Sequence, residues 1–120
     1  MNKRLKKRWL EALRSGKYKQ SRGQFKVTEE EHARQVANYF DKKSAAPVGY
    51  CCLGVLCEIS PKLKKLVGPD WEDEGRFDRD AAAYAGLSDD LGYAQDTLID
   101  LNDQHRKSFK QIANWIEKNL

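Results

Sequence analysis

The stretch GYCCLGVLCEIS, Gly49 to Ser60, decides the fold because its middle part is apolar on almost every side. We predict a short helix over residues 51–59 whose side chains cover most of its circumference, and such a helix belongs at the centre of a domain. Gly54 would let a neighbouring backbone approach it closely. Free cysteine is among the most buried residue types and packs as a small hydrophobe. The three cysteines are therefore predicted to be core residues.

Other uses of the cysteines are less well supported by their spacing. Cys51, Cys52 and Cys57 lack the second ligand pair of a structural zinc site, so no metal is predicted. A thiol hydrolase needs a nucleophile such as Cys51 or Cys52 at a helix N-terminus, and His32 or His105 as its base. A cysteine-dependent hydrolase remains an alternative hypothesis, and no cofactor is predicted.

Three elements are predicted before this segment. Periodic apolar residues indicate a helix over residues 3–15. Residues 17–27 contain two short runs that favour β-structure on either side of Ser21-Arg22-Gly23, so we predict a small β-hairpin there. A capping box at Thr28 begins a helix that ends near Asp41. The predicted buried face of this helix consists of Ala33, Val36, Ala37 and Phe40.

The second half of the chain is predicted to be helical at three places. Residues 62–80 look irregular, with room for one short strand. A short helix follows within residues 78–87 and ends at Gly86. Another helix starts at Ser88, and a capping box at Ser108 begins the last one.

The predicted fold class is α+β: a small, mostly helical single domain over residues 1–120, with a minor β-hairpin and a central apolar helix at 51–59.

Charge is distributed unevenly along the chain. Residues 1–27 contain ten basic residues and one acid, Glu11, which gives a net charge of +9. Because the whole chain carries +4, the remainder carries −5. Such asymmetry indicates an anionic partner for the N-terminal part, which can be nucleic acid, a phosphorylated small molecule or an acidic protein surface. The alternative is a solvated basic helix beside an acidic domain.

The basic segment LRSGKYKQSRGQFK contains the residue types that bind a nucleotide. Guanidinium groups hold phosphate with two hydrogen bonds, and aromatic rings stack on bases. The alternative is that Tyr18 and Phe25 form the buried face of the predicted hairpin. The predicted ligand-binding residues are Arg14, Lys17, Tyr18 and Gln20, with Asn102 and Asp103 contributing polar contacts to sugar or base.

Three blocks resemble a family of small proteins encoded by tailed bacteriophages and prophages. They are WLEALRSGKYKQ at Trp9–Gln20, CCLGVLC at Cys51–Cys57, and the Leu-Asn-Asp block with its Ser-Phe and Ile-Ala helix at Leu101–Ile116. The resemblance implies a phage origin and the host bacterial cytoplasm as the setting. It implies no activity and leaves the oligomeric state open.

Together these patterns lead to one main hypothesis. We expect a non-enzymatic phage accessory protein that counters host defence by binding and sequestering an anionic, nucleotide-like ligand. The alternative is an inhibitor that docks on a host protein or a nucleic-acid complex through its basic N-terminal segment. No apolar run approaches the ~20 residues that span a bilayer, so no membrane association is predicted.

Overall fold

The computed structural model describes residues 1–38, 44–87 and 93–120. Within these ranges the chain is mostly helical with one two-stranded sheet, which confirms the predicted α+β class. No helix in the described ranges has both the length and the apolar character to cross a membrane. The elements are α1 Lys3–Arg14, β1 Lys26–Val27, α2 Glu29–Asn38, β2 Gly49–Tyr50, α3 Cys52–Ile59, α4 Pro61–Val67, a 3-10 turn Trp71–Asp73, α5 Arg79–Ala85, α6 Tyr93–Asp103 and α7 Phe109–Asn119.

Helix α3 lies in the centre of the core, as predicted. Its first six residues, Cys52 to Cys57, are all buried. Cys51 caps the helix, since its Sγ accepts a hydrogen bond from the backbone N–H of Gly54 at 3.4 Å. A Cβ added at Gly54 would lie 1.7 Å from the carbonyl oxygen of Phe25, so the glycine permits the close approach that the sequence predicts.

Helix α1 packs against both α3 and α7. Leu5, Trp9 and Leu13 form its buried face at helical spacing, while most of its basic residues point to solvent. The indole Nε1–H of Trp9 donates a hydrogen bond of 3.0 Å to the carbonyl oxygen of Cys52. This bond satisfies the indole in the core and ties α1 to the start of the central helix.

The two paired strands lie farther apart in the sequence than the two arms of the predicted hairpin. Strand β1 pairs with β2 in antiparallel register, with Lys26 opposite Tyr50 and Val27 opposite Gly49. Gln20 forms an isolated parallel bridge to Tyr50. The hairpin predicted within residues 17–27 is therefore not formed, and both of its predicted arms pair with β2 instead. The reason is that Ser21-Arg22-Gly23 is not one of the tight two-residue turns that close a hairpin.

The predicted buried face of α2 is corrected by the structure. Ala33 and Ala37 are exposed and Val36 is half-buried, while Phe40 lies outside the described residues. The helix is held by polar contacts with the segment before β2: His32 Nδ1 lies 2.8 Å from the carbonyl oxygen of Ala46, and Gln35 Oε1 accepts a hydrogen bond of 2.8 Å from the Ala46 N–H. These polar contacts replace the apolar packing that the periodicity predicts.

The region predicted to be irregular, residues 62–80, contains helix α4 and the 3-10 turn instead. Ser60 both ends α3 and begins α4: its N–H donates to the Cys57 carbonyl at 3.2 Å, and its Oγ accepts from the Leu63 N–H at 3.2 Å. Pro61 occupies the first helical position, where its missing N–H costs nothing. The Ser-Pro pair that ends one helix therefore also starts another.

The remaining helices agree with the sequence where the structure describes them. Asp78 caps α5 and Gly86 ends it in the left-handed conformation, with φ of 74°. The predicted helix start at Ser88 lies outside the described residues, and α6 is described from Tyr93. The capping box predicted at Ser108 is formed with Gln111 at the start of α7.

Candidate functional site

Arg14, the first predicted ligand-binding residue, lies at the end of α1 against α7. Its Nη2 donates hydrogen bonds to Asn114 Oδ1 at 2.9 Å and to Glu117 Oε2 at 2.6 Å. The Arg14 guanidinium lowers the pKa of the Glu117 carboxyl through this hydrogen bond. A guanidinium has five N–H donors, and those beyond Nη2 make no hydrogen bond within the described residues. Arg14 is thus held in position with donors left for a ligand.

Gln20 and Asn102, two predicted site residues 82 positions apart, are in direct contact. Gln20 Nε2 donates to Asn102 Oδ1 at 2.9 Å and to the carbonyl oxygen of Lys107 at 2.8 Å. The same Asn102 Oδ1 accepts the Cys52 N–H at 3.2 Å, and its Nδ2 donates to the Ser21 carbonyl at 2.8 Å. Asn102 is 3% exposed. The structure thus brings Gln20 and Asn102 together, and their amide groups are used in hydrogen bonds that connect separate segments of the protein.

The other three predicted residues, Lys17, Tyr18 and Asp103, do not line the cavity beside Arg14. Lys17 is exposed, and its backbone N–H donates to Ser15 Oγ. Tyr18 is half-buried and meets the ring of Tyr50 edge-on, with centroids 5.3 Å apart. Asp103 is half-buried and accepts a 2.8 Å hydrogen bond from Asn102 Nδ2. A ligand role for these residues stays a prediction.

The cysteines are buried free thiols in the core, as predicted. Removal from water raises the pKa of Cys51 and of Cys57 to about 12, and it also raises the pKa of Cys52. The thiolate is the nucleophilic form, and at neutral pH such thiols stay protonated. In the described part of the chain, no group of three or more His, Cys, Asp or Glu side chains is arranged to hold a metal ion.

A cationic cleft lies between α1 and α7, and we call it the α1–α7 cleft. Its volume of about 770 Å³ is within the range of ~300–1,000 Å³ that small-molecule sites occupy. Four cationic side chains and two carboxylates face it, so positive charge is in excess. The lining residues are Lys3, Lys6, Lys7, Leu10, Glu11, Arg14, Ser15 and Glu117.

The helical repeat of α1 builds one wall of this cleft. Lys3, Lys7, Leu10 and Arg14 recur every three or four residues and therefore share a face. Leu10 is half-buried and supplies an apolar patch between the cations. Lys3 and Lys7 make no ion pair or hydrogen bond with any described residue. The wall thus presents two unpaired ammonium groups beside the positioned guanidinium.

The sequence predicts Arg14 as a ligand-binding residue but not Lys3, Lys6 and Lys7. These lysines belong to the basic segment for which an anionic partner is predicted, yet no local signal shows which of them face a cavity. Helix α7 contributes one lining residue, Glu117, which is about a hundred positions away along the chain. Only the packing of α7 on α1 turns a basic helix face into a cleft.

The family comparison identifies no activity. A protein-family model described as Domain of unknown function (DUF8296) matches residues 1–93 of the chain. The match spans the helices from α1 to α5 and stops where α6 begins, so α7 lies beyond it. No curated protein and no solved structure matches the chain.

Proposed function

Because the chain belongs to this family of unknown function, we propose its function from the site: it is a non-enzymatic binding protein that holds an anionic, nucleotide-like ligand in the α1–α7 cleft. The observation that carries the proposal is the positioned guanidinium of Arg14 beside the unpaired ammonium groups of Lys3 and Lys7 in a cavity of about 770 Å³. This arrangement is suited to binding a phosphate group.

Each wall residue has a chemical role in the proposal. Arg14 offers its remaining N–H donors as a fork to phosphate oxygens, while Lys3 and Lys7 supply point charges. Leu10 provides an apolar surface for the sugar or the base. The carboxylates of Glu11 and Glu117, on the same cleft, can accept hydrogen bonds from ligand hydroxyl or amino groups.

Arg14 belongs both to the proposed site and to the site predicted from the sequence, but the other residues of the two sites differ. Gln20 and Asn102 already use their amide groups within the protein. The ring of Tyr18 packs against Tyr50. In the cleft, the ammonium groups of Lys3 and Lys7 and the remaining N–H groups of Arg14 have no partner among the described residues, which is why the cleft is preferred here as the ligand site.

We place this binding activity in the biological setting that the phage resemblance implies. Sequestration of a nucleotide signal would counter a host defence that depends on that signal, and the protein would act in the host bacterial cytoplasm. Expression in bacteria carrying a nucleotide-signalling defence, followed by phage challenge, tests this role. We expect higher phage yield with the wild type than with Arg14→Ala, and equal yields would contradict it.

A thermal-unfolding panel tests the binding proposal directly. ATP, cyclic AMP and cyclic di-GMP are added to the wild type, and a ligand at 100 times its Kd stabilises the fold by about 2.7 kcal/mol, which raises Tm by several degrees. Arg14→Ala and Lys7→Ala should each reduce the ligand-induced shift, measured against the variant's own ligand-free Tm. This reference removes the effect of losing the Arg14–Glu117 contact.

Lys107→Ala is the matched control for these variants. Lys107 is an exposed cation on the loop between α6 and α7 and does not line the cleft. Its removal should leave the ligand-induced shift unchanged. The proposal is contradicted if no nucleotide in the panel raises Tm, or if the shift in Arg14→Ala and Lys7→Ala equals that of the wild type.

A further inference from the structure

A second cationic cavity lies on the other flank of α1, and we call it the Tyr84 cavity. It has a volume of about 230 Å³ and lies between α1, the α3–α4 junction and α5. Arg4 and Arg8 reach it from α1, and Ser60 and Tyr84 line it from the other elements. Arg4 and Arg8 belong to the basic segment that the sequence marks for an anionic partner, while Tyr84 lies in no sequence motif.

The Tyr84 cavity combines an exposed aromatic ring with guanidinium groups. Tyr84 is 40% exposed, and the Nζ of Lys62 lies 5.0 Å from the centre of its ring. Arg8 Nη2 donates a 2.6 Å hydrogen bond to the carbonyl oxygen of Ile59, which holds its guanidinium at the cavity. Arg4 is exposed and makes no hydrogen bond or ion pair with any described residue.

The two cavities are connected by the exposed cations of one helix. Lys3 and Lys7 line the α1–α7 cleft, and the residues that follow each of them, Arg4 and Arg8, line the Tyr84 cavity. Adjacent residues of a helix project about 100° apart, so these four cations form a continuous band across the solvent side of α1. A ligand that lies across this band reaches both cavities.

We infer that the protein binds single-stranded nucleic acid across α1, with phosphates on the cationic band and a base against Tyr84. The inference rests on the proposed function, since the α1–α7 cleft would hold one nucleotide of the same strand. Cationic grooves beside exposed aromatic rings are the usual means of binding single strands. The Tyr84 cavity is smaller than the ~300 Å³ that whole drug-sized ligands occupy, which fits a part of a longer ligand.

The same features argue against duplex nucleic acid. A duplex keeps its bases stacked inside the helix, so it cannot place a base face against Tyr84. Tyrosine and arginine also occur in protein interfaces, so competition with polyglutamate separates an acidic protein surface from a single strand. Stacking and phosphate contacts together favour the single strand over the duplex.

Fluorescence anisotropy with a labelled oligothymidylate of about ten nucleotides, a length typical of single-strand sites, tests the inference. Tyr84→Leu should weaken binding about tenfold because it removes one stacking face, while Tyr84→Phe should retain the wild-type affinity. Tyr93→Leu is the matched control, since Tyr93 is 67% exposed and lines neither cavity. Unfolding midpoints of all three variants confirm that they are folded.

Salt dependence tests the phosphate contacts separately. The logarithm of the binding constant should fall linearly with the logarithm of salt concentration, and Arg4→Gln should reduce that slope by about 0.7, the value for one phosphate contact on a single strand. Lys107→Gln should leave the slope unchanged. An unchanged slope in Arg4→Gln would overturn the placement of the strand on this band.

Competition separates this inference from the proposed function. The single-strand inference is overturned if Tyr84→Leu binds the oligothymidylate with wild-type affinity. It is also overturned if duplex DNA or polyglutamate competes as strongly as the single strand. If mononucleotides still raise Tm in an Arg14-dependent way, the proposed function stands without it. If the oligonucleotide binds in a Tyr84- and Arg4-dependent way while no mononucleotide raises Tm, the single-strand surface stands and the mononucleotide site falls.

Discussion

Gly54 sets the distance between the central helix and the segment that leads into β1. An added Cβ would lie 1.7 Å from the carbonyl oxygen of Phe25, which also accepts the Cys51 N–H at 3.2 Å. Backbone lies on both sides of this contact, so no flexible side chain can move away. We therefore expect Gly54→Ala to lower the free energy of unfolding by about 3 kcal/mol, the upper part of the usual range for overpacking.

Urea unfolding measures this effect. Gly75→Ala is the matched control, because a Cβ at Gly75 would meet only the Gly23 carbonyl oxygen, at 3.3 Å, and Gly75 is exposed. Its effect should stay well below that of Gly54→Ala. Equal unfolding midpoints for the two variants would show that α3 does not pack against Phe25 in this way.

The Cys51 thiol makes stability depend on alkaline pH. Burial raises its pKa from the ordinary value of 9.0 to about 12. Between these two values the unfolded chain releases the proton while the folded chain keeps it, so the free energy of unfolding falls as pH rises, by up to ~1.4 kcal/mol per pH unit. The contribution of the thiol is complete below pH 9 and is lost as pH approaches 12.

Cys51→Ser isolates this contribution from that of other groups. Serine can accept the same capping hydrogen bond from the Gly54 N–H, and it is a preferred N-cap residue, but its hydroxyl does not ionise in this range. Urea midpoints measured from pH 8 to pH 11 should decline less steeply in Cys51→Ser than in the wild type. Parallel curves would mean that Cys51 is not the buried group that the structure shows.

At the scale of elements, Asn102 joins α6 to the start of α3 and to the segment before β1. Its amide accepts the Cys52 N–H and donates to the Ser21 carbonyl, and it also binds Gln20. Asn102→Ala leaves two buried backbone groups without partners, so we expect a loss of about 3 kcal/mol in the free energy of unfolding.

Urea unfolding of Asn119→Ala serves as the matched control for this prediction. Asn119 is exposed, and among the described residues its Nδ2 donates to the Trp115 carbonyl alone. A near-wild-type midpoint for Asn102→Ala, combined with loss of the nucleotide-induced Tm shift, would contradict the structural role. It would instead support the ligand role that the sequence predicts for Asn102.

The elements that could be predicted from sequence are those with local signals. Helices α3, α5 and α7 carry their own caps or continuous apolar periodicity, and α1 has a clear buried face. Helix α4 is not predicted because Ser60 and Pro61 follow the apolar helix directly, and the same two residues form the N-cap and the first position of α4. The strand pairing was missed because the partner of β1 is β2, which lies beyond α2 in the sequence.

In the candidate site, too, the residues that could be predicted are those with a local sequence signal. Arg14 is predicted because a guanidinium close in sequence to an aromatic ring is typical of a nucleotide site, which is a local pattern. The α1–α7 cleft needs the position of α7, and the Tyr84 cavity needs the packing of α5 beside α1. Cavities between elements far apart in the chain leave no local signal, so the sequence predicts a site around residues 14–20, with Asn102 and Asp103 as the contribution from elsewhere in the chain.

In the whole molecule, the excess positive charge of helix α1 lies on the solvent-exposed surface. The buried residues of α1 face α3 and α7, and Trp9 anchors the helix through the Cys52 carbonyl. The cations of α1 therefore concentrate on one side of the molecule. Such a surface attracts polyanions over long range and less strongly as salt increases.

Binding in the α1–α7 cleft is tested by an amide-shift map from two-dimensional NMR of the isotope-labelled protein, titrated with ATP. We expect shifts at residues that line the cleft on both helices, including Lys3, Lys7, Arg14 and Glu117. The binding proposal is contradicted if no amide shifts, or if the shifts are confined to residues 17–20 and 102–103.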